Sequence, residues 1–250
     1  MKIFDRLFSD KYVNRAAVAD NVLLLMMYRF AYPFAYQLSR LNLSPNQITT
    51  LSLASSILAF IALVYDENYG WFGVFWGTAV LLDFCDGTVA RMTNKVSKSA
   101  FRYDHMSDIF KISLLLLGVG IHFDYLAYWI LSTIFIFTYT YSEILSHDLK
   151  SIGLRTAQSD IQVLPVVNVD KKRLRERFLL IRHVTKKFPL TISFARQIYI
   201  ALTTFNGHTL LVFFVLPVGG WVTMTALVYL ILLTVVSSIT DVKLLWKMNR

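Results

Sequence analysis

Long apolar stretches alternate with short polar connections along this chain, a pattern typical of helices that cross a membrane. A bilayer core of about 30 Å requires about 20 helical residues. Six stretches have that length: 47–65, 71–91, 104–123, 125–145, 198–217 and 221–240. We therefore predict an all-α integral membrane protein with six transmembrane helices.

The segment 21–39, NVLLLMMYRFAYPFAYQLS, is apolar enough to form a seventh crossing. It contains Arg29 and Pro33, however, and its aromatic residues alternate with polar ones. A seventh crossing would also place the N-terminus outside, against the four basic residues that precede position 20. The pattern favours an N-terminal interfacial amphipathic helix within residues 1–40.

The basic residues lie on one side of the predicted membrane. The connections after the first, third and fifth spans contain no Lys or Arg. All 25 basic residues lie in the N-terminal segment, the loop at 92–103, the connection 146–197, the C-terminal tail or the adjacent ends of spans. Cytoplasmic loops carry an excess of Lys and Arg. We therefore predict that both termini face the cytoplasm, and we expect the membrane to be a bacterial inner membrane.

The composition agrees with a membrane location and narrows the partners. The chain is 56% hydrophobic and 16% charged, which is too apolar for an ordinary soluble domain. Its net charge of +9 suits anionic lipid or phosphate-bearing substrates, because no nucleic-acid-binding motif is present. The single cysteine, Cys85, excludes an intramolecular disulfide. We predict one membrane-embedded domain over residues 1–250, with transmembrane helices in 47–145 and 198–240 and a cytoplasmic connection at 146–197.

Four aspartates interrupt the apolar pattern at the cytoplasmic ends of the second and third spans. Asp83 and Asp86 are three residues apart, and Asp104 and Asp108 are four apart, so each pair shares one face of its helix. Carboxylates in a bilayer are costly and repel one another. Arg91 and other nearby basic residues supply part of the compensating charge.

Clustered carboxylates of this kind are the hard oxygen ligands that Mg²⁺ or Mn²⁺ prefers. Two such ions typically lie about 3.5–4 Å apart and clamp a phosphate during its displacement. Gly87 and Ala90 leave space beside the acids for a phosphate group, and Arg91 is placed to meet phosphate oxygens. We therefore predict a site for two divalent ions and a phosphate-bearing substrate.

The same residues resemble the signature of the CDP-alcohol phosphotransferase family, D-x-x-D-G-x-x-A-R, eight residues, G, three residues, D, three residues, D. In this sequence the signature is read at Asp83, Asp86, Gly87, Ala90, Arg91, Ala100, Asp104 and Asp108. Ala100 replaces the second glycine, and every other position matches. The segment SPNQITTLSL at 44–53 is also similar to the usual entry into the first span of the family.

The resemblance implies a reaction in which an alcohol attacks the β-phosphorus of a CDP-linked donor and CMP leaves. It implies that Asp83, Asp86 and Asp104 bind the metal ions, and that Asp108 closes the metal site and accepts the proton of the alcohol. Asp83 also borders the CDP moiety in this interpretation. The resemblance further suggests a homodimer.

Several further residues are candidates for substrate binding. Gly87, Ala90 and Arg91 would border the CDP moiety, and Asn46 and Thr49 could reach the nucleotide. For Asn46 and Thr49, helix capping and a local hydroxyl bond are equally good interpretations.

Three candidates for the acceptor site lie at the start or middle of the fifth span: Arg196, Asn206 and His208. Bridging between helices or contact with lipid headgroups would also explain these three. His105 points away from its neighbour Asp104 around the helix, so we do not expect it to be a ligand.

The signature leaves the substrates open. We favour CDP-diacylglycerol as the donor with a polar alcohol as the acceptor; the alternative is a choline- or ethanolamine-type enzyme that joins a small CDP-alcohol to a lipid. Family members that make phosphatidylglycerol phosphate tend to read Asp-Pro-x-Ala-Asp-Lys, whereas this chain has His105, Met106 and Ser107 between its last two acids, which argues against glycerol phosphate. A cation transporter is one alternative class of function, but it would need acids near the membrane midplane. A catalytically silent relative is another alternative, and Ala100 is its only support in the sequence.

Overall fold

A computed structural model describes residues 12, 22–65, 69–95, 98–163, 215 and 218–248. Within these ranges the chain forms long helices and no strand, as the sequence predicts. The helices are α1 (Val22–Arg40), α2 (Pro45–Val64), α3 (Tyr69–Met92), α4 (Lys98–Phe123), α5 (Leu126–Val163) and α6 (Gly220–Met248). The predicted fifth span and the basic stretch 171–188 lie outside the described residues.

Among the residues that the structure describes, four helical segments are long and apolar enough to cross a membrane. They are Pro45–Val64, Tyr69–Met92, Arg102–Phe123 and Gly220–Lys243, close to the predicted first, second, third and sixth spans. The helices present large apolar side chains outward, including Leu51, Leu58 and Ile61 on α2. A surface of this kind is stable against lipid rather than against water, and the chain is an integral membrane protein.

Helix α5 covers the predicted fourth span at 125–145 but does not end there. It is 38 residues long, whereas the sequence pattern predicts that the membrane helix ends at residue 145 and a connection begins. No proline interrupts the stretch between residue 145 and the end of α5, so the backbone can stay helical into its polar part. Helix α5 is not among the four segments that are apolar enough to be candidate membrane spans, because Tyr and Thr recur along it. The count of six spans stays a prediction.

Helix α1 occupies the position of the predicted interfacial helix. It packs against α3, where Tyr28 meets Phe84 edge-on with ring centroids 5.2 Å apart. The Sγ of Cys85 donates to the carbonyl of Ala31 at 3.5 Å, so the single cysteine lies buried in this contact. The location of α1 at the membrane surface stays a prediction.

Local sequence explains where α2 begins. Ser44 is the N-cap: its side chain accepts from the backbone of Gln47, and the side chain of Gln47 accepts from the backbone of Ser44. Pro45 follows in the first helical turn, where a missing N–H group does no harm. Asn46 therefore lies inside the helix, and the interpretation of Asn46 as the helix cap is wrong.

Helix α2 lies at the centre of the N-terminal half, because it packs against both α3 and α4. Further contacts join α4 to α5 and α5 to α6. The larger apolar core is shared by these five helices; its most enclosed members are Leu63, Phe72, Leu116, Val119, Phe135, Leu227 and Leu230. A smaller core joins α1, α2 and α3 and includes Ile48 and Val89. The smaller core lies beside the aspartates of α3 and fixes that end of the helix.

The close packing of α2 and α4 depends on Gly118. A Cβ at this position would lie 3.0 Å from Cδ2 of Leu63 and 3.3 Å from the ring of Phe60. We expect Gly118→Leu to destabilise the protein by about 1–3 kcal/mol, because the larger side chain must push the two helices apart. The midpoint of thermal unfolding in detergent measures the effect.

Gly77 provides the matched control for this substitution. It also lies within a helix, but a Cβ there has no described atom within 4 Å. Gly77→Leu should leave the unfolding midpoint unchanged or raise it slightly, since leucine has the higher helix propensity. Equal losses in the two variants would show that helix contact at Gly118 is unimportant.

Candidate active site and metal centre

Helices α3 and α4 bring three of the four aspartates together. One carboxylate oxygen each from Asp83, Asp104 and Asp108 lies within 4.8 Å of the other two, and all three side chains are partly buried. Asp83 comes from the C-terminal half of α3, and the other two occupy successive turns of α4. Three hard oxygen ligands at this separation can hold a divalent metal ion.

Asp86 lies beside this group, one turn further along α3, and is only 4% exposed. Its Oδ2 accepts a hydrogen bond of 2.6 Å from the hydroxyl of Thr49 on α2. Its carboxylate also interacts electrostatically with those of Asp83 and Asp104. The four acids of the signature therefore lie in one region of the protein, with Asp86 beside the group of three.

Lys111 belongs to the cluster, although its position near the end of the predicted span did not mark it as a site residue. Its side chain is 5% exposed, and its ammonium group forms ion pairs with Asp83 and with Asp108, the second at 2.7 Å. Nζ also lies 3.4 Å from the hydroxyl oxygen of Ser52 on α2. Its spacing of three residues from Asp108, inside an apolar span, is the signal that could have identified it. Lys111 connects α2, α3 and α4 at one point.

Helix α2 supplies the polar floor of the site. The hydroxyl of Thr49 lies within hydrogen-bond distance of the carbonyl of Pro45, at 3.1 Å, and of Asp86. Ser52 donates to the carbonyl of Ala79 on α3 at 2.8 Å. Both side chains are at most 3% exposed. The local contact expected for Thr49 is therefore present, and the same hydroxyl, which has one proton to donate, also contacts a signature acid.

Gly87 and Arg91 form the neighbouring part of the site. A Cβ on Gly87 would lie 3.4 Å from a guanidinium nitrogen of Arg91, so the glycine lets this side chain lie across the helix surface. The guanidinium also lies over the ring of Tyr28, 5.2 Å from its centroid, and its Nε donates to the carbonyl of Tyr12. Arg91 is thus held beside Gly87 by aromatic and backbone contacts. Ala90 is partly buried in the next turn.

The remaining candidates are distributed as follows. Asn46 is exposed on the first turn of α2, and its carbonyl accepts from Thr50. His105 approaches Glu143 on α5, with Nδ1 and Oε2 separated by 3.8 Å. Ala100 lies in the first turn of α4, before the acids. The predicted acceptor residues Arg196, Asn206 and His208 lie outside the described residues.

The donor set fits a divalent cation. Four carboxylates face a single ammonium group, which leaves a formal charge of −3 when all five groups are ionised. Three of the acids, Asp83, Asp104 and Asp108, place carboxylate oxygens within 4.8 Å of one another, and such a group of carboxylates requires a cation or a shared proton. Oxygen ligands and an excess of negative charge are the properties that Mg²⁺ and Mn²⁺ select.

The fold and the site together define a helical integral membrane protein with an acidic centre suited to phosphate chemistry. The sequence profile of the CDP-alcohol phosphatidyltransferase family matches residues 42–162, from the turn before α2 almost to the end of α5. This part of the chain therefore has the sequence features of a CDP-alcohol phosphatidyltransferase domain, and domains of that family transfer a phosphate group from a CDP-linked alcohol to an acceptor in lipid synthesis. No curated protein matches the sequence.

The bond from Thr49 to Asp86 generates a test of the site's internal structure. Thr49→Val removes the hydroxyl at nearly constant volume and leaves a buried carboxyl group without its 2.6 Å partner. We expect a loss of about 1–3 kcal/mol in the free energy of unfolding. Thermal or denaturant unfolding in the presence of EDTA measures this loss without a contribution from bound metal.

Thr78→Val is the matched control. The Thr78 hydroxyl donates to the carbonyl of Val74 within its own helix, and the residue is exposed. Its loss should change the free energy of unfolding by less than about 0.5 kcal/mol. A Thr49→Val protein as stable as the Thr78→Val protein would contradict the importance of the Thr49 bond.

Proposed function

We propose that this protein is a metal-dependent phosphotransferase that joins the substituted phosphate of a CDP-linked donor, CDP-diacylglycerol, to an alcohol and releases CMP. One observation carries the proposal: three acids of the family signature, from two different helices, place carboxylate oxygens within 4.8 Å of one another. The family match to residues 42–162 supports the class of reaction. The donor and the metal requirement are part of the proposal.

Asp83, Asp86 and Asp104 would hold two divalent ions, Mg²⁺ or Mn²⁺, with Asp108 completing the set. When bound, the ions would neutralise the diphosphate and stabilise the charge that develops on the leaving CMP. The residues that surround them bind and orient the donor: Gly87 leaves room for a phosphate group. Ala90, Asn46 and Thr49 border the CDP moiety in this proposal.

Arg91 would meet the phosphate oxygens of the donor. A guanidinium group offers several N–H donors in one plane, which suits paired phosphate oxygens. The contacts with Tyr28 and Tyr12 hold it beside Gly87 before any substrate binds. A group that is already in place loses less conformational freedom on binding.

Asp108 would accept the proton from the hydroxyl of the acceptor as that oxygen forms its bond to the β-phosphorus. A base has to lie within hydrogen-bond reach of the proton that it removes. Asp108 lies one turn further into the membrane-spanning part of α4 than Asp104, so an acceptor approaching from the lipid side would meet it. Its Oδ1 is fixed by Lys111 at 2.7 Å, which leaves the other oxygen for the alcohol.

The wider organisation of the protein is proposed on the same basis. The 1–250 chain would be one membrane-embedded domain with six spans, an interfacial N-terminal helix and both termini in the cytoplasm. The connection 146–197 would lie on that side, as would the active site. Arg196, Asn206 and His208 would contribute to the acceptor site. A homodimer in a bacterial inner membrane completes the proposal.

The activity can be measured directly with purified protein in detergent. We expect CMP release from CDP-diacylglycerol and a polar alcohol in the presence of Mn²⁺ or Mg²⁺, and we expect EDTA to abolish it. A panel of alcohols identifies the acceptor. CDP-choline or CDP-ethanolamine with diacylglycerol tests the other donor class. Release that persists in EDTA would overturn the metal requirement, and no release from any donor would overturn the function.

Asp108→Asn tests the proposed base. The amide keeps the shape of the side chain but cannot accept a proton, so CMP release should fall by about 10²–10⁴-fold. Metal-dependent binding of the donor nucleotide, measured by calorimetry, should persist. Asp124→Asn is the control, because Asp124 is exposed in the turn after α4 with φ of 40°, a backbone conformation that asparagine tolerates well. Unchanged turnover in the Asp108 variant would refute the assignment.

A further inference from the structure

Lys111 has an unusual position for a lysine in an apolar span. Its side chain is 5% exposed, and its ammonium group contacts two carboxylates of the acidic cluster, Asp83 and Asp108. Neither the family match nor the metal chemistry of the aspartates accounts for a buried cation among them. A positive charge at this point competes with metal ions for the same ligands, so its presence requires an explanation.

We propose that Lys111 is an internal cation of the metal centre, which weakens the binding of divalent ions and positions the Asp108 carboxylate for the reaction. This inference rests on the proposed function, since it gives Lys111 a task within that same site. It assigns Lys111 as a positioning residue rather than a catalytic one, because its contacts are to the aspartates.

The effect on metal binding follows from the shared ligands. The ammonium group contacts two of the four carboxylates that would hold the metal ions, so two like charges would lie close together on the same carboxylates. Repulsion between charges is strong where little water separates them. Removal of the ammonium charge should therefore tighten metal binding, although it removes a side chain from the centre of the site.

The effect on Asp108 follows from how firmly Lys111 is held. Lys111 and Asp108 are one turn apart on α4, and their ion pair is 2.7 Å long. Ser52 contacts Nζ from α2, and Ser52 is itself fixed by its bond to Ala79. Asp83 contacts Nζ from α3. With anchors on three helices, the ammonium group can hold one oxygen of Asp108 in a constant position.

The experiment measures Mn²⁺ binding and turnover separately. Free Mn²⁺ is counted by electron paramagnetic resonance during titration of the purified full-length protein, without substrate. Lys111→Met and Lys111→Gln both remove the charge, and the Gln amide can still donate to Ser52 or Asp108 if Met disrupts folding. Lys111→Arg keeps the charge. Lys243→Met, at an exposed lysine of α6, is the control.

We expect both neutral variants to bind Mn²⁺ about tenfold more tightly or better, because the repulsion is gone. Their kcat for CMP release should fall by about a hundredfold, since a misplaced group slows the reaction even when it is chemically intact. Lys111→Arg should keep the Mn²⁺ affinity within about threefold of the natural protein and recover part of kcat. Lys243→Met should change neither quantity.

A purely structural lysine would give a different pattern: Mn²⁺ binding that is unchanged or weaker in the folded neutral variants. That result overturns the inference while the proposed function stands, provided the natural protein releases CMP. If the natural protein binds Mn²⁺ but releases no CMP from any donor, the proposed function fails and the comparison of affinities still decides on Lys111. Absence of Mn²⁺ binding in every form of the protein overturns both.

Discussion

The contact of one buried ammonium group with two carboxylates is the interaction on which the rest of this site depends. Charges taken out of water lose several kcal/mol of hydration each, and only close, well-placed partners recover it. Lys111 has such partners in Asp83 and Asp108. Without it, α3 and α4 would bring the acids together without these two ion pairs. The ion pairs therefore link two acid-bearing helices inside a membrane protein.

Helix α2 helps to fix the positions of the acid-bearing helices α3 and α4 with the precision that catalysis needs. It packs against both acid-bearing helices, and its inward face carries Thr49 and Ser52 at the level of the acids. Further along the same face, Leu63 enters the apolar core beside Gly118. One face of α2 thus changes from hydroxyl groups at the site to close apolar packing below it. The family match begins just before this helix, which agrees with a functional unit that includes it.

The features that the sequence predicts correctly are those that depend on local spacing. Acids at intervals of three and four residues share a helix face wherever the helix lies, so spacing alone is enough to group the carboxylates in pairs. The interpretation of Asn46 as the cap of α2 fails because it does not consider the neighbouring residues. Ser44, Pro45 and Gln47 together form a stronger signal for the start of a helix. The length of α5 escapes prediction because its polar second half has the composition of a connection but remains helical.

The contacts between helices could not be predicted from spacing. The bond from Thr49 to Asp86 spans 37 residues, and the contact of Lys111 with Asp83 spans 28. Both depend on the rotation and depth of packed helices, which one sequence does not specify. Lys111 also lies on the predicted cytoplasmic side of its span, where the other basic residues lie. In the sequence it therefore resembles one more cytoplasmic basic residue. Its spacing of three from Asp108 points instead to a partner within the membrane.

The composition of α4 also constrains how the protein enters the bilayer. This span carries two carboxylates and an ammonium group, and a single charged residue at the centre of an isolated helix opposes insertion by about 2.5–3.5 kcal/mol. Its partners on α2 and α3 precede it in the chain, so they have left the ribosome before α4 emerges. Helix α4 can then leave the translocon by docking onto a surface that already offers Asp83 and Ser52. The order of the helices along the gene is thereby part of the solution to placing charge in lipid.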